Sequence, residues 1–176
     1  PLVIEIGFGM GDSLLECAMS HPERNFIGIE VHRPGVGHLL IKAAEAGICN
    51  LKVINADSTT VMSLGFPPGS ADVVQVFFPD PWHKKRHNKR RLLSAGFLDV
   101  LERVLKPGGI LHVATDWEPY AASIASAAAE IPTFEATAAP PRPVTKYERR
   151  GQRLGHVVTD LAFKKRVPPA SGVVDQ

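Results

Sequence analysis

The chain has 176 residues and a mass of 19.0 kDa, enough for one domain with a hydrophobic core and too few for two. At 44% apolar and 22% charged residues it has the balance of a globular protein rather than a disordered one, and no apolar run approaches the ~20 residues of a membrane-spanning helix. Net charge is +2, and Cys17 and Cys49 are the only cysteines, which leaves no disulfide framework and no cysteine-rich zinc site.

A reduced, cytoplasmic protein is therefore the expectation. The chain opens at Pro1 on residues that already read as buried strand, so an N-terminal segment of the natural protein is expected ahead of it. In chain order, residues 2–6, 26–31, 51–55, 72–78 and 110–114 are short Val- and Ile-rich runs, the pattern of strands buried on both faces. Helices are predicted between them at about 12–20, 36–46, 92–105 and 117–130. The third has Leu93, Phe97, Val100, Leu101, Val104 and Leu105 on one stripe, with Lys106-Pro107-Gly108-Gly109 to stop it. Residues 156–164 alternate as one more strand, after a Pro-rich connection around 140–143. The fold class is α/β: a doubly wound, mostly parallel sheet with helices on both faces. One domain is expected over 1–166, with a flexible tail at 167–176.

The charge is unevenly spread. Residues 84–91 hold six of the 20 basic residues and no acid, and residues 146–166 hold seven more against Glu148 and Asp160. The rest of the chain is left at −9, an acidic body with two basic segments suited to a polyanion. A solvated charged loop is the plainer alternative.

Gly7-Phe8-Gly9-Met10-Gly11 lies between the first strand and the first helix, where glycines let a ligand approach the backbone at the positive helix end. Glu30 closes the second strand, where an acid can take both hydroxyls of a ribose, and Asn55-Ala56-Asp57 closes the third. With Glu5, these are three carboxylates at successive strand ends, although each alone has the simpler reading of a surface or capping residue. Asp12 stands where a dinucleotide fingerprint would have its last glycine, so that fingerprint fails. The run E-I-G-F-G-M-G with Glu30 and Asp57 instead resembles the S-adenosylmethionine site of class I methyltransferases.

The fourth strand runs into F-F-P-D-P-W-H-K-K-R-H-N-K-R-R, residues 77–91. Prolines on both sides of Asp80 restrict its backbone. A carboxylate, an aromatic surface and six cations together suit a nucleic-acid base: its edge, its face and its phosphates. The alternative makes Trp82 core, Asp80 a helix cap and the lysines a solvated face. Thr115-Asp116-Trp117 repeats the acid–aromatic pairing one strand on, where Asp116 is equally suited to cap the next helix. His21, His38, His112 and His156 lack metal-ligand spacing and read as packing or surface residues. His83 and His87 are four apart among cations, which disfavours a metal.

The strings F-P-D-P-W-H-K-K-R-H-N-K-R-R, A-T-D-W-E-P-Y-A, T-K-Y-E-R-R-G-Q-R-L-G-H and G-I-E-V-H-R-P-G-V-G closely resemble the bacterial tRNA (guanine-N7-)-methyltransferases, from Glu5 to about Phe163. The resemblance implies a Rossmann-like class I methyltransferase fold of about seven strands. It implies transfer of a methyl group from S-adenosyl-L-methionine to N7 of a guanosine in the variable loop of tRNA, position 46. Glu5, Glu30, Asp57 and Asp80 would contact the methyl donor, with Gly7, Gly9, Gly11 and Asn55 completing its site, and Asp80 would be the catalytic residue. Lys84, Asp116, Thr145, Lys146, Tyr147 and Glu148 would contact the substrate, and Arg86, His87, Asn88, Lys89, Arg90 and Arg91 the RNA. No metal and no membrane are implied, and a monomer or weak homodimer is expected. Tyr147 stands where the family usually has Phe, a change that keeps the ring; the absent N-terminal arm is the larger departure. Two other classes stay open: an RNA-binding assembly or chaperone subunit without catalysis, which E-I-G-F-G-M-G and P-D-P-W disfavour, and a methyltransferase acting on another RNA, a protein or a small molecule.

Overall fold

The computed structural model describes residues 1–145, 148–149, 155 and 157–169. Strands β1 (Leu2–Ile6), β2 (Asn25–Ile29), β3 (Leu51–Ile54), β4 (Ala71–Phe77) and β5 (Leu105–Thr115) run parallel. With β6 (Phe134–Thr137) and β7 (Thr159–Lys165) they form one sheet of order β3-β2-β1-β4-β5-β7-β6, in which β7 is antiparallel to both neighbours. The chain winds outward from β1 to β3, then returns to place β4 on the other side of β1. The carboxyl ends of β1 and β4 therefore flank the crevice where such sheets bind ligands.

Alternation along the strands divides the core into two layers. Ile4, Ile6, Val74, Val76, Leu111 and Val113 pack on one face. There they meet Met62 of α3 (Ser58–Leu64), Leu98 and Leu101 of α4 (Ala95–Val104), and Tyr120 and Ile124 of α5 (Glu118–Ala129). Val3, Phe8 and Phe26 face the other way, against Leu14 and Ala18 of α1 (Asp12–Ser20) and Leu39 of α2 (Arg33–Glu45). Each fully buried Leu or Ile contributes roughly 1.5–3 kcal/mol.

Several boundaries differ from the sequence reading for local reasons. Helix α2 starts at Arg33 rather than 36, because Pro34 sits in its first turn, where a missing N–H costs nothing. Helix α4 starts behind Ser94, since Leu93 turns inward and donates its N–H to the Tyr120 hydroxyl (3.0 Å). Leu105 is already strand: it pairs with Ala71, and Lys106-Pro107-Gly108-Gly109 lies within β5 at a shift of register rather than forming a turn. Strand β7 begins at Thr159, not 156. Residues 167–169 carry no regular structure, and the remainder of the predicted tail lies outside the described residues.

Candidate active site

The glycine loop is shaped by three left-handed residues: Gly7, Gly9 and Gly11 have φ of 73°, 59° and 80°, a region that side chains disfavour. Glu30 holds the loop in place. One carboxylate oxygen accepts the Gly9 N–H (2.8 Å), and the other accepts those of Val31 (2.7 Å) and His32 (2.9 Å). Asn55 braces it in turn, donating from its side-chain amide to the Glu30 carbonyl (2.7 Å). Helix α2 abuts the loop so closely that a Cβ on Gly35 would lie 1.9 Å from the Gly9 carbonyl oxygen.

Asp57 caps α3. It accepts the Thr60 N–H (2.9 Å) and the hydroxyls of Thr59 and Thr60, and these bonds, Thr59 first, hold its carboxyl below the usual aspartate range. The capping role weighed from sequence is thus real, and Asp57 lines the crevice as well. Glu5 lies deeper. It is 3% exposed on the face of β1 turned toward α1, and burial pushes its pKa up to about 7.

The crevice itself is a cavity of about 400 Å³ between Gly7, Glu30 and Asp57 on one side and Phe78, Asp80 and Trp82 on the other. A second cavity of about 360 Å³ is walled by Asp80, Trp82, His83, Lys84 and His87. Asp80 borders both. The P-D-P turn that presents it is bracketed by Phe78 and Trp82, with φ of 52° and 45°. Bulky aromatics in that region are strained. Around them the His83 ring stacks on Trp117 (4.2 Å between centroids, 19°), His87 meets Trp82 edge-on, and the Arg90 guanidinium lies 5.0 Å from the Trp82 ring. His83 and His87 thus both serve as ring partners of tryptophans.

The basic run forms a 3₁₀ turn over Lys85–Arg90. Lys84, Arg86, Asn88, Lys89 and Arg90 are exposed on it and His87 is half-buried. Arg91 is turned inward: it donates to the Pro81 carbonyl (2.7 Å) and lies over the Tyr120 ring (4.8 Å). Asp116 is exposed at the end of β5.

The connection from β6 to β7 returns to this same end of the sheet, because Thr159 and Asp160 pair with Thr115 and Ala114 at the carboxyl end of β5. Thr145 turns the chain there, its hydroxyl accepting the Glu148 N–H (3.1 Å), and Glu148 is buried. Lys146 and Tyr147, along with part of the second basic segment, lie outside the described residues. Arg142, not singled out from sequence, bonds to both Asp160 and Glu148. Its one signal is a cation set between Pro141 and Pro143.

The residues fit S-adenosylmethionine. A Cβ on Gly7 would meet nothing within 4 Å, so the crevice wall there is bare backbone, and acids stand at the ends of β2 and β3 for polar groups of a nucleoside. A glycine loop after β1, these acids, and an antiparallel β7 in an otherwise parallel core define a class I S-adenosylmethionine-dependent methyltransferase.

Comparison with known proteins narrows the class. A family model described as "Putative methyltransferase" matches residues 1–161. The chain is 50% identical over 175 residues to the tRNA (guanine-N(7)-)-methyltransferase of Sodalis glossinidius, covering 95% of this chain and 73% of that protein. It is 50% identical over 169 residues to the enzyme of the same name from Nitrosococcus oceani, covering 94% and 72%. Among solved structures, the 16S rRNA methyltransferase KamB shares the fold (TM-score 0.70, 20% identity, 94% of this chain and 88% of that one). So does TrmN from Thermus thermophilus (TM-score 0.67, 20% identity, 94% and 44%). The chain belongs to the tRNA (guanine-N7-)-methyltransferase family.

Proposed function

We propose that this chain transfers a methyl group from S-adenosyl-L-methionine to N7 of a guanosine in tRNA, position 46 of the variable loop, giving 7-methylguanosine. The observation that carries the reading is the place of Asp80: on the wall of the glycine-loop crevice and of a second, ring-lined cavity that opens onto the basic turn.

When bound, S-adenosylmethionine supplies a methyl group on a positively charged sulfur. Guanine N7 carries an in-plane lone pair and no proton, so the protein has to orient the base and match its charge rather than abstract a proton. Asp80 does this at the junction of the two cavities. Carboxylates at this end of the sheet, Asp80, Asp116 and Glu148, are acceptors for the guanine N1–H and amino group. Adenine would present the wrong groups to them. Lys84 and the exposed cations Arg86, Lys89 and Arg90 meet phosphates, and the rings of Trp82 and His83 offer a surface for a base turned out of the folded RNA. Glu30 and Asp57, which line the crevice, hold the cofactor's nucleoside, whereas Glu5 is buried within β1 and is not among the residues lining it. A monomer or weak homodimer is the proposed working form, and a tRNA substrate supports a cytoplasmic location.

Incubation with labelled S-adenosylmethionine and bulk tRNA lacking the modification, followed by nucleoside mass spectrometry, tests the reading. Label in 7-methylguanosine is the expected result. Label in another nucleoside, or none in RNA, contradicts it.

A further inference from the structure

We propose that Arg142 is a positioning residue for the acceptor base: through one guanidinium it fixes the Glu148 carboxylate against the Phe77–Phe78 end of β4, which leads into Asp80. The inference rests on the functional reading above, in which Glu148 meets the guanine edge.

The connection between Thr137 and Thr159 is long, and a free loop of that length holds no side chain to the fraction of an ångström that a transfer step needs. Arg142 removes that freedom. Its side chain is only 6% exposed, a burial that charged residues tolerate only when paired. Nε donates to Asp160 Oδ1 (2.7 Å) and Nη2 to Oδ2 (2.9 Å), a two-pronged bond to the first turn-facing acid of β7. Nη1 donates to Glu148 Oε2 (2.5 Å) and to the Pro143 carbonyl (3.3 Å). The guanidinium carbon lies 5.2 Å from the Phe77 ring and 5.6 Å from that of Phe78, the left-handed residue two before Asp80. One planar group thus joins β7, the loop that carries Glu148 and the strand end that precedes Asp80.

The anchor is itself fixed. Asp160 pairs with Ala114 in the sheet, and its Oδ1 lies 2.7 Å from Nε2 of His112, a wholly buried ring set edge-on to Phe77. Burial keeps His112 toward its neutral form, although Asp160 opposes this. Burial likewise works against ionisation of Asp160, but the bonds and charge of Arg142 and the His112 bond outweigh it and hold the carboxyl below its usual range. Lysine cannot replace the fork, since a point charge spans neither the Asp160 pair nor the gap to Glu148.

Arg142→Lys, which keeps the charge, tests this with Glu148→Gln beside it. Single-turnover methylation at saturating cofactor and tRNA should fall at least tenfold in Arg142→Lys. Cofactor affinity by calorimetry and tRNA affinity by filter binding should stay close to wild type, while Tm falls, because lysine leaves buried carboxylate oxygens without a donor. Because Arg142 acts through Glu148, the double variant should be no more than about twofold slower than Glu148→Gln alone. A wild-type rate in Arg142→Lys overturns the proposal, as does a fall of cofactor affinity in step with the rate, which would make Arg142 scaffold only. Multiplying losses in the double variant overturn the route through Glu148. A wild type that makes no 7-methylguanosine removes the functional reading and this inference together, whereas a working wild type with an unaffected variant removes Arg142 alone.

Discussion

Glu5 shows what a single buried carboxyl does to the molecule. Burial raises its pKa from 4.5 to about 7, so between those values the folded chain holds a proton that the unfolded chain releases. An acid whose folded pKa is raised stabilises the fold at low pH and loses that contribution as pH rises through the folded value. The shift corresponds to a loss on the order of 2–3 kcal/mol between about pH 5 and pH 8. Calorimetry of the ligand-free protein should show Tm falling over that range, and Glu5→Gln should flatten the fall and raise Tm at pH 8. An identical pH profile in the variant would remove Glu5 as its source. The acids at the strand ends were legible in the sequence because strand ends converge whatever the side chains do. Arg142 was not legible: its backbone position follows from the flanking prolines, but its partners Asp160 and Glu148 meet it only once β7 is paired with β5.

At the scale of elements, the parallel strands and α1, α2, α4 and α5 were readable from apolar period, and two short elements were not. Helix α3 buries only Met62 fully and contains Thr59, Thr60 and Val61, poor helix formers, so it owes its existence to the Asp57 cap rather than to an apolar stripe. Strand β6 is four residues with Phe134 alone buried, too short for alternation to register. The contact between α2 and the glycine loop carries a prediction. A methyl group on Gly35 would sit 1.9 Å from the Gly9 carbonyl oxygen, whereas one on Gly37 would meet nothing within 4 Å. Gly35→Ala must push the loop or the helix away, and cofactor affinity should drop at least tenfold by calorimetry. Gly37→Ala should bind as wild type. Equal affinities in the two variants would mean that the loop is free to move without affecting the site.

Across the whole molecule, one end of the sheet gathers the glycine loop, Asp80, Asp116, the basic turn and the returning β6–β7 connection, whereas Lys164, Lys165 and Arg166 of the second basic segment lie toward the opposite end. On the proposed reading, binding and chemistry are divided there: the exposed cations on the 3₁₀ turn would hold RNA through charge, while Asp80 borders the two cavities beside them. The division makes Asp80→Asn the most direct measurement, because the substitution keeps shape, removes charge and leaves the basic turn untouched. Single-turnover methylation of tRNA by this variant, with both substrates saturating, should be slower than wild type by about a hundredfold or more, the size of effect seen when one preorganised electrostatic partner is removed. Affinity for tRNA should persist. Methylation at the wild-type rate would contradict the account.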